Sequence, residues 1–309
     1  MTLLRRRSVF AAKTETTVGT EIALTGADGV YNARDFMIEP GIGMTRREGQ
    51  GGFNYLKSIP EGMMGTCKIV HDLAYDGTNI PTWASVLLPA CGWVDTGGLF
   101  SPVSQGPGGG GVKTLTIGHY FDGKMKKLTG AMGTWVVTCP TGKVAQIEFT
   151  FTGKYFENET DIALIAPTYP TDPPLRFADG GITWSAVAIC TANVTIDAGN
   201  SVIMRECAEA GNRTGFKSAV ITDRVPVITA DPEAVLVATE NRDSQWLAFT
   251  AAAMVVTLNT TSGAIVFTAA AAQIEDKKNG DRSGLITDDL KFLCTAGATA
   301  DTELTINFT

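Results

Sequence analysis

At 309 residues the chain could form one large domain or two ordinary ones, and a chain of that length buries roughly 75% of its unfolded surface, so it needs no disulfide or metal staple. The net charge of −7 and a pI of about 5.0 weigh against the basic face that tight phosphate-backbone binding requires. Charged residues are only 18% against 44% apolar, a balance that fits either a large core or a surface hidden in an assembly.

Residues 1–30 show no period and read as an extended N-terminal arm with little structure of its own, with Arg5, Arg6 and Arg7 as a small solvated basic cluster. Residues 31–165 read as the first β domain. Met64 to Leu73 alternates as a half-buried strand does. Trp83, Val86, Leu87 and Ala90 share one helical face, with Pro81 at the start and Gly92 at the end, so one short helix is expected. Residues 95–112 read as a flexible Gly-rich loop, which lacks the Gly-Lys-Ser/Thr of a phosphate-binding loop. Asp122-Gly123 marks a hairpin, and Ile147, Phe149 and Phe151 alternate with Gln146, Glu148 and Thr150 as a strand with one wet face. Residues 166–181, rich in Pro and Gly, read as a linker.

Residues 182–309 read as a second β domain of similar plan. Strands are expected at 184–196, 203–207 and 216–221, a helix near Trp246, and a hairpin about Ser262-Gly263. Leu304 to Phe308 is expected to be an edge strand closely like Ile147 to Phe151. An internal repeat supports this reading. Ile38 to Glu48 and Ile196 to Glu206 share the pattern I-[ED]-x-G-x5-R-E at an offset of 158, and Gly52-Phe53, Thr66 and Trp83 recur as Gly215-Phe216, Thr229 and Trp246 at 163. Gly41, Arg47, Glu48, Trp83, Gly199, Arg205, Glu206 and Trp246 are therefore candidate repeat or interface positions. The repeated Arg-Glu pairs fit either exposed ion pairs of little worth or equivalent contacts between subunits.

Chemical motifs are sparse. The six cysteines form no CxxC pair and read as reduced thiols packed as small hydrophobes. Cys67 and His71 lie roughly 13 Å apart along a strand, too far to share one ion. Asp288-Asp289 reads as a solvated turn. The sequons at Asn158, Asn193, Asn212 and Asn259 are the chance matches of a Thr-rich chain. No nucleophile elbow, metal set or cofactor fingerprint is found, so no enzyme, cofactor or metal is expected. No signal peptide and no run approaching 18 apolar residues is present, which predicts a protein made in a reducing cytoplasm, without a membrane partner.

Several stretches together resemble the tail tube proteins of long, flexible-tailed bacteriophages. They include residues 12–20 (Ala-Lys-Thr-Glu-Thr-Thr-Val-Gly-Thr), 87–92 (Leu-Leu-Pro-Ala-Cys-Gly), Gly123 with 128–133 (Leu-Thr-Gly-Ala-Met-Gly), 147–153 (Ile-Glu-Phe-Thr-Phe-Thr-Gly), 221–226 (Ile-Thr-Asp-Arg-Val-Pro), Gln273-Ile274 and 281–284 (Asp-Arg-Ser-Gly). The resemblance implies a mainly β fold of two tandem β-sandwich or barrel tube-like domains, each with a short helix. It implies a virion protein whose rings stack into a tube around DNA, with the tape measure, terminator and tail-tip proteins as further partners. Two tube-like units in one chain would need only three chains for a pseudo-sixfold ring. The arm of residues 1–30 and the loop near 106–111 are candidates for contacts between rings. A two-domain adhesin or carbohydrate-binding sandwich, and another virion part such as a tail terminator, stand as rival readings.

Overall fold

The computed structural model describes residues 3–309 apart from 105, 107, 156–158, 179, 210, 211 and 261. Expectations at Asn158, Thr261, Pro107, Met1 and Thr2 therefore lie outside the described residues. The protein is mainly β: one large antiparallel sheet that does not close on itself, and a separate two-stranded ribbon.

The expectation of an unstructured arm is corrected at once. Strand β1 (Ser8–Thr14) pairs with β6 (Leu115–Phe121), from Ser8↔Phe121 to Thr14↔Leu115. Its Val9, Phe10, Ala11 and Ala12 are all buried, so both faces are covered and no alternation marks the strand. The buried Glu15 fixes its end, accepting hydrogen bonds from Gly19 N (2.7 Å), Thr114 Oγ1 (2.7 Å), Thr116 Oγ1 (3.0 Å) and Gly130 N (2.7 Å).

β2 (Ala33–Glu48) and β3 (Tyr55–Asp72) form a long hairpin, and Cys67, Ile69 and Leu73 of the second arm face the core as the alternation predicts. The expected helix is a π-helical turn, Trp83–Leu87, running into a 3₁₀ turn, Leu88–Cys91, that ends at Gly92 with φ +83. Pro89 lacks an N–H, which breaks the regular i→i−4 ladder here. The expected loop contains a short hairpin, β4 (Trp93–Asp95) with β5 (Leu99–Pro102). After β6 the chain turns through Asp122 and Gly123, both with positive φ, into β7 (Lys124–Pro140). β8 (Gln146–Lys154) and the two-residue β9 (Thr160–Asp161) complete this half.

Residues 166–181 are not a free linker at their C-terminal end. Leu175 and Phe177 are buried, and Ala145 N donates to Leu175 O (2.9 Å) while Phe177 N donates to Lys143 O (3.0 Å). The single strand expected over 184–196 is instead β10 (Gly180–Trp184), a turn through Ser185 and Ala186 at positive φ, β11 (Val187–Ala188), and β12 (Thr191–Asp197). β13 (Asn200–Glu206) and β14 (Phe216–Arg224) make the separate ribbon, which continues into β15 (Val227–Pro232). Helix α1 (Arg242–Leu247), capped by Asn241, precedes β16 (Ala251–Asn259), β17 (Ala264–Arg282), β18 (Leu285–Thr295) and β19 (Thr305–Phe308). The last is not an edge strand: β19 lies between β17 and β5. Nor is Asp288 in a solvated turn: it is buried within β18, while Asp289 is exposed on the other face.

One core serves both halves. Trp93 and Trp135 meet edge to face at 5.1 Å, Trp135 lies 6.3 Å from Phe267, and Trp93 Nε1 donates to Leu304 O at 2.9 Å. Beneath α1 the second half relies on ions. Buried Arg242 bonds Asp288 at 2.8 Å and Glu240 at 2.9 Å, and Lys277 reaches Asp288 at 3.3 Å. Arg242→Ala leaves those carboxylates short of their partner, so urea unfolding of this variant is expected to show a loss of about 3–5 kcal/mol.

Candidate assembly interface

Eight strands follow one another as a continuous antiparallel layer in the order β2-β3-β8-β7-β12-β15-β18-β17. One face is core: Ile69, Phe149, Trp135, Val137, Ile196, Ile228 and Phe292 are fully buried. The other is a polar band in which Lys68, Thr150 and Thr134 sit side by side, as do Thr138, Thr195, Thr229 and Lys291.

The layer contains the same pairing order twice. In the first half β2, β3, β8, β7, β6 and β1 are successive neighbours; in the second, β12, β15, β18, β17, β16 and β10 are. The registers agree: Ile38 faces Cys67, Phe151 and Gly133 in one row, and Ile196 faces Ile228, Phe292 and Ile274 in the other. The counterpart of β8 is thus β18, not the C-terminal strand. The offset of 158 holds on the outgoing strand. On the return strand it is 161 rather than 163, because residues 207–215 replace 49–54 at the hairpin tip. Thr66 consequently corresponds to Val227, and Thr229 to Lys68.

The repeated residues divide by role. Arg47, Glu48, Arg205 and Glu206 are exposed at the tips of the two hairpins. Trp83 is buried in the helical turns, while Trp246 is half-buried on α1. Gly41 continues a straight strand opposite Met64. Gly199, at φ +63, bends the second hairpin between β12 and β13, and a Cβ there would collide with Val225 O. That bend lays β13 and β14 over the first half. Val112, Met132 and Ala219 form a buried cluster, and Asn200 Nδ2 donates to Cys91 O (2.7 Å) and Gly133 O (2.9 Å). Arg224 stacks 5.3 Å from the Trp93 ring and pairs with Asp301 (2.9 Å).

The two halves meet at a seam. β7 pairs with β12 from Pro140↔Asn193 to Val136↔Asp197. The turn that follows β7 is held between β12 and residues 174–177: Thr141 N donates to Ala192 O, and Gly142 N to Phe177 O, both at 2.8 Å. The two end strands of the eight-strand layer have no such neighbour on their outer side among the described residues. β2 bonds only β3, and β17 beyond Gln273 bonds only β18. The open edge of β2 carries Arg34, Asp35 and Glu39; that of β17 carries Lys278, Asp281 and Arg282. Beside the first, residues 3–6 and 33–37 line a groove of about 910 Å³ together with His119. Large apolar side chains are also exposed. Ile42, Met44, Phe53, Leu56 and Ile59 lie toward the tip of the first hairpin, Leu285 and Ile286 follow the turn after β17, and Leu236, Val237, Leu247 and Phe249 surround α1.

Among the described residues no group of three or more His, Cys, Asp and Glu side chains could hold a metal ion, and no helix is long and apolar enough to cross a membrane. The cysteines are unbridged, with burial pushing the Cys139 and Cys294 thiols up to about 12. No protein-family model and no curated protein matches the chain.

Sequence reasoning singled out the β2 and β12 stretches but missed the open edges. Their only local signal is a pair of strands with charges of both signs on the face that another strand would share.

Two outcomes are expected. Gly199→Ala forces a left-handed backbone on alanine and costs about 1–3 kcal/mol in chemical denaturation, whereas Gly41→Ala, whose Cβ would meet only ordinary van der Waals contact with Met64 O at 3.6 Å, stays within about 0.5 kcal/mol. His119 has its pKa lowered from 6.5 to about 4 by burial and, secondarily, by Lys126. The unfolded chain then takes up a proton near 6.5 that the folded chain refuses until about 4. This contribution to stability is complete above about 6.5 and declines as pH falls toward 4. Urea midpoints between pH 7.5 and 4.5 should follow that decline, and His119→Phe should flatten it.

Proposed function

We propose that this chain is a structural virion protein whose rings stack into a phage tail tube, with three chains per ring acting as six tube-like units. The observation that carries the reading is the eight-strand layer. It is built from two sets of strands in the same order, joined edge to edge, and left open at both ends. A unit that joins its own twin through a strand edge has the geometry to join a further copy in the same way. Such a head-to-tail contact makes a closed ring when its rotation closes, and closure removes the exposed edges that otherwise invite aggregation.

Three layers of eight strands would make a barrel with a backbone diameter on the order of 45 Å, from strand spacing and a usual barrel tilt. The core face of the layer is already covered by the chain's own outer elements, which leaves the Thr-rich polar face for the lumen. In this reading DNA passes along that face without specific binding, and the tape measure, terminator and tip proteins cap the assembly. The two tandem β-sandwich units with one short helix each are part of the same proposal, supported by the matching registers and by helical turns at equivalent places. No catalysis, cofactor or metal is assigned.

Negative-stain electron microscopy of the purified protein, with its native mass, tests this. Stacked rings or hollow tubes with three chains per ring are expected. Rings that form but never stack would favour a terminator, and any other number of chains per ring would overturn the pseudo-sixfold arrangement.

A further inference from the structure

We infer that the turn between β17 and β18 of one copy docks into the groove beside β2 of a second copy, with β17 and β2 pairing antiparallel as Arg282↔Asp35, Gly280↔Met37 and Lys278↔Glu39. The inference rests on the ring reading but commits to one surface, one partner and one register.

The internal seam supplies the template. There β12 receives β7, and the turn after β7 lies between β12 and the segment just before β10. Each participant has a counterpart at the open edges. β12 corresponds to β2, 158 residues earlier. The end of β7 corresponds to the end of β17: Val136 beside Glu148 matches Lys278 beside Asp289. The segment before β10 corresponds to residues 3–6 before β1, since β1 on β6 matches β10 on β16. Carrying Pro140↔Asn193 and Val136↔Asp197 across these equivalences gives the register above.

Three independent features fit. The site that the template demands is already a groove of about 910 Å³, lined by residues 3–6 on one side and 33–37 on the other. The charges are complementary across the proposed pair: Asp35 and Glu39 share one face of β2, while Arg282 and Lys278, which within the chain pair with Glu233 (2.6 Å) and Asp276 (2.7 Å), share one face of β17, and opposite charges directly across a strand pair attract. Apolar groups match as well. Leu285 and Ile286 are 54% and 67% exposed, and their counterparts Val144 and Ala145 lie at the seam, with Ala145 fully buried and bonded to Leu175. Leu3 and Leu4, 42% and 57% exposed, stand where Leu175 and its neighbour stand in the template. His119 Nδ1, which has no hydrogen-bond partner among the described residues, lines the same groove.

The same docking brings the first hairpin over the neighbour's second half, as β13 and β14 lie over the first half within one chain. Met44 takes the place of Val202, and the exposed Leu247 and Phe249 around α1 receive the cover that Val94 and Val103 have from the inner hairpin.

The test uses the full chain with Glu39→Cys and Lys278→Cys in a Cys190→Ser, Cys207→Ser background, oxidised and run on a non-reducing gel beside micrographs of the same sample. Cross-linked dimers and closed trimers are expected from the double-cysteine chain, and none from either single cysteine. In parallel, Glu39→Lys alone and Lys278→Glu alone should each reduce assembly at least tenfold, and the combined swap should restore it. Rings without the cross-link and without rescue by the swap would overturn this seam and leave the ring reading standing. The absence of both rings and cross-links would overturn the two together.

Discussion

The structure depends on one ladder, the pairing of β7 with β12. Backbone N–H and C=O groups at a strand edge must find partners, and residues 136–140 and 193–197 find each other. β7 can serve this role because it outruns its hairpin partner. Its first part bonds β6, and its last part extends past β6 to offer a fresh edge on the same side. On the core face the ladder sets Val137 beside Ile196 and Cys139 beside Val194, all fully buried, so the seam is also a piece of the core. From it follow the shared core, the single polar face, and the position of the second hairpin over the first half.

The two hairpins show how local chemistry decides whether a repeated sequence takes one shape or two. Both carry glycine as the fourth residue of the repeated pattern, at Gly41 and Gly199. Gly199 sits opposite the Val225-Pro226 step, where the chain bends and the strand pair divides in two. Gly41 sits at the level of Met64 and Gly65, and β2 and β3 stay paired beyond it, with a register shift between Ile42 and Met44. The bent hairpin has a surface to lie on, formed by Met132, Val112 and the carbonyls of Cys91 and Gly133. The straight one meets the second hairpin at Met63, whose N donates to Thr214 O at 3.0 Å, and farther toward its tip Ile42, Met44, Leu56 and Ile59 are exposed. Tertiary contact, rather than propensity, accounts for the difference.

Much of this layout was legible in the sequence, for reasons that also explain what was not. β3 and β8 each bury one face, and that leaves a period of two in Cys67, Ile69, Phe149 and Phe151. β1 buries both faces, so its short apolar run looks like any other. The recurring strand pattern was visible in Ile38 to Glu48 because glycine and charge recur there, but the return strand was misaligned by two residues. A loop-length change cannot be located by matching Thr to Thr in a Thr-rich chain. Leu304 to Phe308 resembles β8 locally, yet equivalence is set by which strands pair, and pairing partners such as Phe100 and Ile306 lie far apart in sequence. The buried role of Asp288 was hidden for the same reason, since its partner Arg242 lies on a different element.

Charge on the polar face bears on how a duplex would travel past it. Lysines there are matched locally: Lys68 pairs with Glu148 at 2.7 Å, and Lys291 with Glu275 at 2.6 Å. Exposed pairs of this kind add little stability, but they occupy the cations that would otherwise collect phosphates and release counterions. Between them lie threonines, whose hydroxyls offer hydrogen bonds without net charge. The open edges carry charge as well. Asp35 and Glu39 lie near Arg5 and Lys68, and Lys278, with three-quarters of its side chain exposed, pairs with Asp276 at 2.7 Å. Such edges repel a like edge and so hinder promiscuous strand pairing, while leaving one complementary partner. Locally matched charge on the face and charges of opposite sign on the two edges would together let the same layer hold its neighbours and release what moves through it.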